Sequence, residues 1–343
     1  TIRSAHVDLS LRRADKIVRA PLGAGSSWAL HAVPEARGLP PNTAPASRRT
    51  FLKTAAALAV AASSRALPAW AAPASDANGP WQIGCYTRPF DQFDYRVALD
   101  AIAETGFKHV GLMTAKGKSW VMITADTPLE EAAAVGAEVK QRGLKAVSLY
   151  GGDFPVAQSL AAGIAGLKKL IDNCVACSAS NLMVGGTGDE ALYAAYYKAL
   201  AEGCAYAAEK GVGLSVKPHG GLNATGPQCR KAIQQVGHKN FGLWYDPGNI
   251  FYYSDGKLDP VDDAATVDGL VVGMSVKDYQ PPKEVLVTPG TGKVDFPKVF
   301  ARLKQGGFTR GPLVIECLAR GDLVQIKAEA RKARRFLEEL AGQ

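Results

Sequence analysis

The stretch that decides the fold is Lys210-Gly211-Val212-Gly213-Leu214-Ser215-Val216-Lys217-Pro218-His219-Gly220-Gly221. An amphipathic run ends in a glycine, a short apolar run without polar alternation follows, and polar groups appear where that run stops. A glycine is where a helix stops, and a continuous apolar run of this length is a strand buried on both faces, as parallel sheets require. The stretch therefore predicts a helix-to-strand join with chemistry-bearing residues beyond the strand.

Worked outward, the same unit recurs eight times. Apolar runs occupy residues 81–86, 107–113, 144–149, 181–184, 212–216, 241–245, 270–276 and 312–317. Between and after them, residues 94–105, 129–142, 158–177, 190–210, 227–236, 296–305 and 322–340 carry apolar positions at three- and four-residue spacing, with 259–268 a shorter helix. The joins Thr105-Gly106-Phe107, Arg142-Gly143-Leu144 and Gly306-Gly307-Phe308 repeat the punctuation. Eight such units over this span predict an α/β fold, a (β/α)8 TIM barrel. No glycine-rich dinucleotide fingerprint follows the first strand, which disfavours an open doubly wound sheet.

Residues 1–75 have a different character. They hold ten of the 40 Lys and Arg but only three of the 32 Asp and Glu, leaving 30 and 29 in the remainder. All but one unit of the net charge of +8 thus resides in the leader, and the barrel has no electrostatic footprint for nucleic acid. Ser47-Arg48-Arg49-Thr50-Phe51-Leu52-Lys53, an Ala-rich apolar stretch and small-residue cleavage sites read as a twin-arginine signal peptide over 47–75. That segment is too short for a permanent membrane span. The expectation is a bacterial exported or periplasmic protein, with the twin-arginine machinery a partner during transport. Residues 1–46 are expected to be disordered or a mis-annotated extension, and 76–343 to form the barrel. Six cysteines, all beyond residue 75, are compatible with an oxidising compartment, but spacing assigns no pairs. Cys174-Val175-Ala176-Cys177 closes an apolar helix and is expected to be structural.

Active sites of such barrels lie at the carboxyl ends of the strands. The polar ends are richest in the second half: Lys217 and His219 after strand five, Asp246 and Asn249 after strand six, Lys277 and Asp278 on strand seven, Glu316 on strand eight. Charges flanked by apolar strand residues are costly unless paired or metal-bound. The glycine turn Gly185-Gly186-Thr187-Gly188 after strand four is either a cradle for a ligand or a plain turn.

Gly106-Phe107-Lys108-His109-Val110-Gly111-Leu112, Tyr245-Asp246-Pro247-Gly248-Asn249, Val276-Lys277-Asp278, Gly290-Thr291-Gly292-Lys293-Val294-Asp295-Phe296 and Pro312-Leu313-Val314-Ile315-Glu316 follow in order and spacing. Through them the chain resembles, over residues 81–340, the sugar phosphate isomerase/epimerase superfamily of xylose isomerase-like TIM barrels. That resemblance implies a divalent metal held by Glu, Asp, His and Glu on strands five to eight, stabilising an enediolate. Here only Asp246 and Glu316 match. Lys217 stands at the strand-five Glu position and Ser275 at the strand-seven His position.

Two arrangements then follow. Either His219 joins Asp246 and Glu316 around Mn, Zn, Fe or Co, a donor set such metals accept, or Lys217 supplies a fixed positive charge and no metal binds. Lys217, His219, Asp246, Lys277 and Glu316 are the expected catalytic residues, with Tyr86, Trp244, Asn249 and Asp278 binding substrate. Phe251-Tyr252-Tyr253 is read as a loop able to act as a lid. Three histidines beyond residue 75 are too few for a trinuclear zinc endonuclease of this superfamily. The expected activity is a sugar isomerase or epimerase abstracting a proton next to a carbonyl. A keto-sugar lyase or dehydratase, and a non-catalytic carbohydrate-binding barrel, are the alternatives. The sequence sets no oligomeric state.

Overall fold

The computed structural model describes residues 80–342, Lys118 apart; the stretch 47–75, read from the sequence as a signal peptide, and residues 1–46 lie outside the described residues. Eight parallel strands close into a barrel in chain order, β1 (Trp81–Tyr86), β2 (His109–Leu112), β3 (Lys145–Tyr150), β4 (Asn181–Val184), β5 (Gly213–Val216), β6 (Phe241–Tyr245), β7 (Val271–Val276) and β8 (Gly311–Ile315). The seam is the β1–β8 pairing, in register from Trp81↔Gly311 to Cys85↔Ile315.

Helices follow the strands: α1 (Tyr95–Glu104), α2 (Leu129–Gln141), α3 (Leu160–Ala176), α4 (Glu190–Glu209), α5 (Gly226–Val236), α6 (Pro247–Tyr253), α7 (Pro260–Ala265), α8 (Phe296–Gln305) and α9 (Leu323–Ala341). Their starts obey local chemistry. Asp94, Ser159, Asp189, Asp246, Asp259, Asp295 and Asp322 each accept a backbone N–H of the helix they precede. Each such cap is worth ~1 kcal/mol against alanine. At the other end, Gly106 and Gly211 turn the chain from helix to strand at φ +94° and +73°, where a Cβ would be strained.

One expected loop is a helix. Phe251, Tyr252 and Tyr253 form the last turn of α6, and Phe251 is buried with its ring stacked on Tyr279 at 5.4 Å. Asp246 as N-cap with Pro247 at the first helical position starts a helix directly behind β6.

The interior of the barrel is filled by side chains, as the fold demands. Tyr86, Met113, Val147, Met183, Trp244 and Val314 form a small buried cluster inside the sheet, separate from the core between sheet and helices. Room for its two large rings comes from glycines on the next strand. Tyr86 pairs with Gly111 and Trp244 with Gly273. A Cβ on Gly111 would stand 2.1 Å from the Tyr86 ring, and one on Gly273 would stand 2.5 Å from the Trp244 ring. Replacing Gly273 by alanine should therefore cost about 1–3 kcal/mol by overpacking. Urea denaturation checks this, and the Gly273→Ala/Trp244→Leu double variant should lose less than the sum of its single variants.

Candidate active site

The parallel register delivers the ends of β5, β6, β7 and β8 to one rim, and the charged residues there close on one another. Asp246 and Glu316 are 0% exposed, Lys217 1% and Lys277 2%. The Lys217 ammonium lies 2.5 Å from Glu316 Oε2 and 2.9 Å from Asp246 Oδ2. The Lys277 ammonium lies 2.6 Å from Glu316 Oε1 and 3.3 Å from Asp246 Oδ2. Two lysines and two carboxylates thus alternate around a square. A third cation joins from the seam: Arg88, in the single turn Arg88–Phe90 after β1, donates from Nη1 to Glu316 Oε1 at 2.9 Å.

Electrostatics fixes the protonation states. Burial by itself would raise the Glu316 carboxyl, but Lys217, Lys277 and Arg88 overrule it and hold Glu316 well below the usual carboxylate range. Burial would lower the Lys217 ammonium, but Asp246 and Glu316 outweigh that and raise it. Lys217 is thus a held charge, not a free amine.

Three residues brace the square. Asn249, on α6, accepts from the Lys277 ammonium at 2.9 Å and donates to the Pro218 carbonyl at 2.6 Å, tying strand seven to the strand-five loop. Asp246 Oδ1 accepts the Asn249 backbone N–H, so one carboxylate oxygen caps α6 while Oδ2 faces both ammoniums. Asn223 donates to the carbonyls of Gly185 and Lys217, 2.6 and 2.8 Å away. The glycine turn after β4 is accordingly packed by protein. A Cβ at Gly186 would meet the Asn223 side chain at 2.3 Å.

His219 is the member of the expected set that reaches solvent. Protein surrounds the rest of its ring, with the Tyr150 and Tyr253 rings at 6.1 and 5.8 Å. Burial first, then the ammoniums of Lys217 and Lys277, push its pKa down to about 3. The imidazole is therefore neutral across the working range of pH. Tyr150 and Tyr253 are pushed up by burial, Tyr253 to about 12, and stay protonated.

The remaining expected residues lie elsewhere. Tyr86 and Trp244 are 0% exposed and fill the barrel interior beneath the square. Asp278 is fully buried, and its two oxygens accept four backbone N–H groups, from Tyr279, Gly290, Gly292 and Val294. It fastens the loop that runs into α8. Ser275 is buried with no hydrogen-bond partner for its hydroxyl. The six cysteines are free and buried, and burial pushes the thiols up, so none is an activated nucleophile. Arg88 was not among the expected site residues. Its signal was the polar end of the first strand, but its partner lies 228 positions away.

A divalent metal does not fit this donor set. Among the described residues no three His, Cys, Asp or Glu converge as ligands. Both Glu316 oxygens are paired with ammonium and guanidinium groups, and Asp246 Oδ2, though it takes no hydrogen bond among the described residues, is ion-paired with both lysines. A dication would have to enter beside two buried ammoniums and the partly exposed Arg88 guanidinium, whose repulsion in a low-dielectric site is large.

The sequence profile described as the xylose isomerase-like TIM barrel matches residues 99–340. The chain belongs to that family. Among solved structures, a xylose isomerase domain protein from Planctomyces limnophilus superposes with TM-score 0.59 at 21% identity, covering 76% of this chain and 97% of the other. A D-psicose 3-epimerase solved in the presence of D-fructose gives 0.61 at 14% identity, covering 76% and 100%. The IOLI protein with a zinc atom gives 0.59 at 13% identity, covering 76% and 98%. At these identities the likeness is one of fold. No curated protein matches the chain.

Removing one partner of a buried ion pair leaves an uncompensated charge. Lys217→Met should cost about 3–5 kcal/mol in urea denaturation, and Lys217→Met/Asp246→Asn should cost less than the two changes summed. His219 titrates with the opposite sign to a salt-bridged histidine. Its folded pKa is depressed, so its contribution is intact above the unfolded value near 6.5 and is lost as pH falls from there towards about 3. Melting curves of His219→Gln against the parent should converge across that acidic window and diverge above it.

Proposed function

We propose that this protein is an enzyme that isomerises or epimerises a sugar or keto-sugar by taking a proton from the carbon beside its carbonyl, with the buried lysine–carboxylate square in place of a metal. The observation that carries this reading is the placement of the Lys217 and Lys277 ammoniums between Asp246 and Glu316 at the rim, next to a neutral histidine open to solvent.

In the step, the C–H bond breaks and its proton passes to the His219 imidazole. The C–H electron pair becomes the new C=C bond, and the carbonyl π pair moves to oxygen, giving an enediolate. The cations Arg88, Lys217 and Lys277 stabilise that oxygen without reorganising, because they are already fixed. A pKa of about 3 keeps His219 unprotonated in the free site. Negative charge growing on the substrate counters the lysines, so the imidazole becomes more basic as the proton arrives. Delivery of a proton from water to the opposite face gives an epimer; return of the His219 proton to the neighbouring carbon, with a hydroxyl proton passing between the two enediolate oxygens, gives an isomer. The exposed Trp120 indole, over which the Arg88 guanidinium sits at 5.5 Å, offers an apolar face for a sugar ring.

Family membership supports the enzyme class, and a D-psicose 3-epimerase among the similar folds supports the choice of a ketose for testing. The twin-arginine pattern Ser47-Arg48-Arg49 supports work outside the cytoplasm, which separates the protein from cytoplasmic sugar phosphates.

The test is proton exchange in D2O, followed by NMR, with EDTA-treated full chain and a panel of ketohexoses including D-fructose and D-psicose. Exchange should persist without metal and fall by about 100-fold or more in His219→Ala. A requirement for added Mn, an unchanged rate in His219→Ala, or no exchange on any ketose overturns the reading. The last result would leave the square as the lattice of a carbohydrate-binding barrel.

A further inference from the structure

The charges at the rim do not balance. Arg88, Lys217 and Lys277 are three cations, while Asp246 and Glu316 are two anions, and His219 beside them is neutral. Four of the five charged groups are essentially without solvent. Other carboxylates nearby do not repair the count. Asp278 is turned onto four backbone N–H groups. Asp91 is compensated by Arg320, 3.8 Å away. Asp153, after β3, has its carboxyl raised by burial, bears on the Tyr150 and Tyr196 phenols, and makes no ion pair with the three rim cations among the described residues. Among the described residues, the site therefore holds one positive charge in excess, and an uncompensated charge in a desolvated place is costly.

That excess can be reached at one point. The lysine side chains are 1% and 3% exposed, whereas the Arg88 side chain is 20% exposed. Among the described residues Arg88 spends only Nη1 on a hydrogen bond, to a Glu316 oxygen that already takes Lys277 at 2.6 Å. Its planar fork leaves donors for an incoming group, and the guanidinium stands beside the exposed Trp120 ring.

We propose that the site takes a sugar acid, a carbohydrate whose single carboxylate docks on Arg88 beside Trp120 and completes the charge of the square. A carboxylate matches the guanidinium fork two-on-two. It also matches the excess in magnitude, since it brings one negative charge where a phosphate monoester brings about 1.5 to 2. The proposal rests on the reading of this rim as a carbohydrate site; it adds the ionic class of the substrate.

The experiment is calorimetric titration of the EDTA-treated full chain at pH 7.5. The probes are D-glucuronate, D-galacturonate and D-gluconate, each against its neutral parent D-glucose, D-galactose or D-glucitol, with D-glucose 6-phosphate as the phosphate arm. At least one acid should bind about tenfold or more tightly than its parent, the worth of a charged hydrogen-bonded pair. That preference should vanish in Arg88→Gln, survive in part in Arg88→Lys, and shrink as salt is raised. In the parent protein, NMR titration of His219 should show its pKa rising when the acid is bound and not when the neutral sugar is present. The salt and NMR arms need no variant. No acid bettering its parent, an intact preference in Arg88→Gln, or tighter binding of the phosphate overturns the proposal. Acid preference without proton exchange would keep this inference and sink the proposed reaction. Exchange on neutral ketoses with no acid preference would do the reverse.

Discussion

Glu316 enters the barrel rim just past β8 with no access to water, and the site is built around what that costs. A lone carboxylate there would take up a proton. Three cations from three other strand ends keep it ionised, and one of them, Lys217, is itself kept charged by Glu316 and Asp246. Each ion is tolerable only because the others are present. The same pairs cross-tie β1, β5, β6, β7 and β8 at their carboxyl ends, where backbone pairing has stopped and loops begin. Asn249 extends the tie into the loop that carries His219. The position of the solvent-facing histidine therefore depends on a network that no part of the rim could form alone.

Ammoniums in a place suited to a cation change the chemistry on offer. A dication attracts by charge and accepts several oxygens of one ligand. Two lysines and an arginine spread their charge over fixed N–H donors with defined directions. The carboxylates and Asn249 engage most of the lysine donors, so the lysines act on a ligand largely through their field, while Arg88 keeps donors free. That field adds to burial in holding the His219 imidazole down, to about 3. Any group that brings negative charge to the rim relaxes this depression, which couples ligand charge to the basicity of the histidine.

The barrel was legible because its signals are local. Glycines at 106 and 211 and unbroken apolar runs each report on a few residues, and eight repeats leave little freedom in topology. Asp246, Lys217, Lys277 and Glu316 were legible for the same reason, as polar groups at strand ends. What escaped depended on non-local geometry. Tyr86 and Trp244 sit at strand ends too, but register sets Gly111 and Gly273 beside them and draws the rings into the interior. Asp278 looks like a rim carboxylate until the segment around Gly290 and Val294 folds over and supplies its N–H donors. The helical state of Phe251–Tyr253 has a local signal too, since Asp246 followed by Pro247 is a strong helix start.

Arg88 is the case in which closure itself creates the site. Cys85 on β1 pairs with Ile315 on β8, so the chain just past β1 emerges beside Glu316, the next residue after that pair. An open sheet would leave β1 and β8 at opposite edges, with Arg88 in water and Glu316 short of one cation. Closing the seam joins them at 2.9 Å and, in the same act, raises the charge of the rim above neutrality. The seam is thus where fold and electrostatics become one constraint. The contact that helps hold the eighth strand against the first also leaves the rim needing an anion.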